Sequence, residues 1–71
     1  MSLVKVDSSK LNALKAEQVR KERDRLLADS DWTQVPDAPV DSTAWADYRQ
    51  ALRDVPQQAG FPNDVTWPEQ P

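Results

Sequence analysis

The sequence predicts a small all-α protein: a two-helix hairpin with a proline-rich connector, an extended C-terminal tail and a short strand-like N-terminal arm. Three observations carry this prediction. Residues 8–29 lack glycine and proline and are filled mainly with Ala, Leu, Lys, Glu, Gln and Arg, which are strong helix formers. Trp45, Tyr48, Leu52 and Val55 recur at spacings of 3, 4 and 3, which makes one stripe on a second helix. All six prolines lie from residue 36 onward, where they interrupt and end regular structure.

Residues 1–7 contain Leu3, Val4 and Val6 in a β-leaning stretch. A lone strand has no stability, so this arm is expected to be flexible or to pair with a partner. Residues 8–71 form a single module. Its first helix, about 8–29, can be capped by Asp7, Ser8 or Ser9, whose side chains accept from first-turn amides. Glu17–Lys21 and Glu22–Arg25 have the spacing of helical ion pairs, each contributing a few tenths of a kcal/mol. The apolar stripe is broken. Leu11 and Leu14 lie near the start, and Val19, Leu26 and Leu27 lie toward the end. Two readings fit: a solvent-exposed helix anchored at its C-terminal end, or a helix whose first half docks on another chain.

The connector, residues 30–42, carries Pro36 and Pro39, which push Val35 and Ala38 toward extended geometry. Asp41 or Ser42 caps a second helix over about 42–55, which Pro56 ends. Residues 56–71 are expected to be extended. Gly60 marks a special turn, and Phe61, Val65 and Trp67 pack back on the helices. The expected hairpin core is Leu26, Leu27, Trp45, Tyr48 and Leu52.

Composition restricts the function. With 71 residues the chain builds a core worth no more than ~3–5 kcal/mol. It has neither cysteine nor histidine, so disulfides and the usual zinc ligands are absent and a partner or second copy is the natural source of extra stability. No catalytic residue, cofactor or metal site is expected. The serines occupy cap or terminal contexts, and Asp29, Asp31, Asp37 and Asp41 read as turn formers. One glycine cannot form a phosphate-binding loop. No apolar run spans a membrane or resembles a secretory signal, so a soluble intracellular protein is expected.

Charge is unevenly distributed. Residues 1–28 have seven basic and four acidic side chains, a net +3, whereas residues 29–71 have two and eight, a net −6. Pairing between the halves, or a solvated face, is preferred over an acidic partner. Nucleic-acid binding is disfavoured, because acids interrupt the Arg20–Arg25 run and the pI is near 4.7. Trp, Tyr and Arg dominate protein-binding hot spots. The candidate partner-binding residues are therefore Leu11, Leu14, Arg20, Arg23, Trp32, Arg49, Arg53, Phe61 and Trp67. For Arg49 and Arg53, pairing inside the chain, with Asp31 or Asp37 for example, is the preferred alternative.

A series of phrases runs through the chain. Arg20, Arg23, Leu26 and Leu27 lead into Ser30-Asp31-Trp32-Thr33, followed by Pro36 and Asp37. Trp45, Tyr48, Arg49, Leu52 and Arg53 come next, then Pro56, Gly60-Phe61-Pro62 and Trp67-Pro68. Together, over about residues 19–68, they resemble the tail assembly chaperone family of tailed bacteriophages. The resemblance implies a non-enzymatic protein that helps a tail fibre protein, itself an oligomer, to fold, trimerise or attach. It implies work in the host cytoplasm during assembly, with retention on the virion tail left open. No small-molecule substrate and no membrane enter that role. A permanent tail adaptor or decoration protein is the alternative, and a small nucleic-acid-binding regulator is the third reading.

Overall fold

The computed structural model describes residues 8–71, so the arm at 1–7 and the choice of cap among Asp7, Ser8 and Ser9 lie outside the described residues. Helix α1 spans Ser8–Asp29 and helix α2 spans Ser42–Arg53, with no strand among the described residues. Short 3₁₀ turns follow each helix, at Asp31–Gln34 and Val55–Gln57. The small all-α class and the helical hairpin are as the sequence predicts.

Asp41 is the residue that caps α2. Its Oδ1 accepts from the amides of Thr43 and Ala44, both at 3.1 Å, so two otherwise unpaired first-turn donors are satisfied. The helix stops two residues earlier than its apolar stripe suggests. Asp54 closes it with its amide on the Gln50 carbonyl, and Val55 and Pro56 belong to the second 3₁₀ turn. Pro56 suits that place because its missing amide is not needed in the first positions of a helical turn. Val55 nevertheless stays in the core.

That core is small. Tyr48, Leu52 and Val55 are its buried apolar residues, with Leu52 and Val55 fully shielded. Val19, Leu26, Leu27 and Trp45 surround them half-buried. Trp45 meets Tyr48 edge-on at 5.6 Å between ring centroids, a favoured aromatic geometry. Beside this apolar centre lies a polar one. Ser30 and Thr33 are buried, and Arg49 sits between them and the apolar stripe of α2.

The C-terminus of α1 explains why. Its last carbonyls lack helical partners, and no basic residue in its last turn complements the helix dipole. Arg49 of α2 supplies the missing group. Its Nη1 donates to the Leu27 carbonyl at 2.6 Å and to Ser30 Oγ at 2.8 Å, while Nη2 donates to Asp31 Oδ1 at 2.6 Å. Ser30 Oγ in turn donates to the Leu26 carbonyl at 2.8 Å, and Thr33 Oγ1 donates to the Ser30 carbonyl at 2.6 Å. Gln34 ties the same turn to α2 by donating to the Ser42 carbonyl at 3.2 Å.

Replacing Arg49 by Lys keeps the charge and loses the fork that reaches three acceptors. Hydrogen bonds to a charged group contribute ~1.5–3 kcal/mol, so Arg49→Lys is expected to lower stability by about that much in urea unfolding. Asp31→Asn leaves the two buried acceptors in place, and the Asp31 side chain is 69% exposed. Its expected cost is below ~1 kcal/mol. Equal losses in the two variants would contradict this assignment.

Candidate protein-binding surface

The 3₁₀ turn after α1 turns Thr33 inward and leaves Trp32 outside. Thr33 is fully buried on the Ser30 carbonyl, whereas Trp32 is 50% exposed. Val35 follows that turn and donates its amide to the Trp32 carbonyl at 3.4 Å. Val35 precedes Pro36 and is held extended, at φ −76° and ψ 148°. It is 47% exposed. Behind this pair the Trp45 ring lies 6.2 Å from that of Trp32. The result is an exposed apolar patch backed by a half-buried ring and fixed by the Arg49 network. Sequence reading had singled out Trp32 and missed Val35, although the proline after Val35 carries the signal.

The other candidates fall in different places. Arg20 lies over the Phe61 ring, 5.3 Å from its centroid, so each engages the other. Arg23 donates to Asp24 Oδ1 from Nε at 3.1 Å and from Nη2 at 2.9 Å, with its stem largely covered. The Arg49 guanidinium is taken up inside the chain. Arg53 is exposed and reaches only Gln50 Oε1, at 3.5 Å. Leu11 and Leu14 are 41% and 57% exposed on the first turns of α1. They lie roughly 24 Å along the helix axis from the Trp32 turn. Trp67 is 36% exposed.

The segment expected to be extended from residue 56 begins as a compact loop, and regular turns end only at Asp64. Gln58 closes this loop with its side-chain amide, donating to the Thr66 carbonyl at 2.7 Å and accepting from the Thr66 amide at 2.9 Å. Inside it, the amides of Asn63 and Asp64 both donate to the Gly60 carbonyl. Gly60 is needed for space rather than for a left-handed backbone. Its φ is not positive, and an added Cβ would collide with the backbone oxygen of Asp64. The loop is pinned to α1 by Lys15 donating to Asn63 Oδ1 at 3.1 Å, and by Asn63 donating to Asn12 Oδ1 at 3.3 Å. Nothing in the sequence marks Gln58 or Asn63 for these roles.

Among the described residues one ion pair, Arg25–Asp29 at the end of α1, crosses the boundary between the charged halves. Three of the six described cations of α1 pair within the helix: Lys21 with Glu17, Arg23 with Asp24, and Arg25 with Glu22 and Asp29. Of the two preferred readings, pairing between the halves or a solvated face, the described ion pairs fit the solvated face. The hydrogen bonds of Arg25 hold the Glu22 carboxyl below its ordinary value. A lowered carboxylate contributes above its unfolded pKa and loses that contribution as pH falls through the folded pKa. Glu22 is too exposed for this to matter much.

Among the described residues no cluster of acidic side chains is arranged to hold a metal ion, and no helix is long and apolar enough to cross a membrane. The geometry is that of a small helical scaffold with outward aromatic and aliphatic side chains. The profile of the phage tail assembly chaperone protein family matches residues 16–71. The chain belongs to that family, over a span slightly wider than the motifs alone indicated. No curated protein and no solved structure matches it.

The loop analysis gives a graded expectation. Gly60→Ala forces backbone to shift and is expected to cost about 1–3 kcal/mol, as overpacking does. Gln58→Glu removes the donor to Thr66, and at this exposed position the cost is below ~1 kcal/mol. Urea unfolding followed by tryptophan fluorescence checks both, and a neutral Gly60→Ala would show that the loop is not closed in solution.

Proposed function

We propose that this chain is a non-enzymatic assembly chaperone for a phage tail fibre protein, acting in the infected host cell while the tail is built. Family membership gives the tail-assembly role. The observation that carries the finer reading is the exposed Trp32–Val35 patch, held by buried polar contacts rather than by burial of its own apolar surface. An unassembled fibre exposes apolar surface that is later covered and that meanwhile promotes aggregation. A rigid aromatic anchor can cover such surface at little conformational-entropy cost. Arg53, exposed on α2, and the net positive charge of α1, six basic against four acidic side chains, favour approach to an acidic fibre surface.

Co-expression of the chain with a tail fibre protein of the same phage, followed by affinity capture and size-exclusion chromatography, tests this reading. The expected result is a soluble complex and an insoluble or unassembled fibre when the chain is omitted. Trp32→Ala removes the anchor while leaving the Arg49 network intact. It is expected to weaken capture by about thirtyfold, the scale of a hot-spot residue worth ~2 kcal/mol, with an unchanged helical circular dichroism spectrum. A fibre that is soluble, trimeric and indifferent to the chain would refute the reading. Stoichiometric presence in purified virions would point instead to a permanent tail adaptor.

A further inference from the structure

The first half of α1 carries a second apolar feature that the Trp32 patch does not use. Asn12, Lys15, Ala16, Val19, Arg23 and Leu26 make up the side of α1 turned to the tail loop and to α2, through contacts or partial burial. At 100° per residue, Leu14 points roughly 160° away from that side, and Leu11 lies on its flank. A shallow apolar groove there is lined by Lys10, Ala13, Leu14 and Glu17. All four belong to α1, so no other described element covers it. The family match begins at residue 16, which leaves most of this groove outside the shared module.

The order of these side chains is self-complementary. Lys10 and Glu17 are two turns apart, and the midpoint between them falls between Ala13 and Leu14. An antiparallel second copy, related by a two-fold axis at that midpoint, sets residues 10 and 17 of the two chains opposite each other. Lys10 of each copy then meets Glu17 of the other, and the large Leu14 meets the small Ala13 twice. Among the described residues Lys10 has no ion pair, and Glu17 holds only the exposed Lys21 contact at 3.4 Å. Both are available to switch. A two-fold interface requires this kind of self-matching patch.

We infer that the Lys10–Glu17 face of α1 is a homodimer interface that binds a second copy of this chain in antiparallel orientation. The inference stands independently of the fibre-binding reading, which concerns the opposite end of α1. It also supplies stability where the fold has least. The described core holds three buried apolar side chains, and the start of α1 is tied down mainly by the exposed Asn63 contacts. Short helices without packing fray in water.

Sedimentation equilibrium of the full chain between about 10 μM and 1 mM is expected to show a reversible monomer–dimer equilibrium, with a weak Kd because the patch is small. Leu14→Asp is expected to leave a monomer with unchanged helicity. Lys10→Glu and Glu17→Lys are each expected to weaken dimerisation on the order of tenfold, because like charges then face each other. Mixing these two variants restores association, since both cross-pairs become opposite in sign, and the double variant recovers it within one chain. A chain that is monomeric at 1 mM overturns the proposal. So does a dimer indifferent to Leu14→Asp, or one in which the mixed variants fail to associate. A monomer that still captures the fibre would remove this interface and leave the proposed function standing.

Discussion

The rest of the structure depends on the guanidinium of Arg49. A helix that ends in Leu-Leu-Ala-Asp leaves its last carbonyls and its negative dipole end without an internal answer. Arg49 meets that need from the other helix with three directed hydrogen bonds, and in doing so fixes where α2 lies relative to α1. Ser30 and Thr33 are buried because they complete the same network. No buried side-chain nitrogen or oxygen among the described residues is left without a partner, which is the condition under which a polar centre stabilises rather than weakens a fold.

This arrangement resolves a conflict inherent in a short binding protein. Large aromatics placed in the core stabilise the fold and are lost to partners, whereas those left outside invite partners and contribute little to stability. Here Tyr48, Leu52 and Val55 make the apolar centre while the polar latch holds the connector. Trp32 and Val35 are thereby presented on a fixed 3₁₀ turn without being consumed by it. The tail follows the same logic. A side-chain amide at Gln58 closes its loop, and the Arg20–Phe61 contact uses both candidate side chains to hold that loop on α1. Members of this family work in phage tail assembly.

The charge distribution has a simpler origin than its asymmetry suggests. Lys21, Arg23 and Arg25 are neutralised by acids one to four residues away, on the same helix. Such contacts are exposed and individually weak.

By itself the sequence determined the two helices, the all-α class, the proline-broken connector and the apolar stripe of α2. Each rests on local properties: propensity, capping and periodicity of a single segment. The family was legible too, since its motifs lie in linear order. The outward position of Trp32 was half legible, because an aromatic beside prolines is as easily core as surface. Tertiary structure alone decided that Arg49 is internal while Arg53 is exposed. On a helix these residues are one turn apart and look alike, and only the position of the Leu27 carbonyl and Ser30 separates them. It also decided that Val55 joins the core from outside α2, that Gln58 grips Thr66, and that Leu14 faces away from everything else described. These depend on which chain segment lies across the gap, a non-local fact that no spacing within one element records.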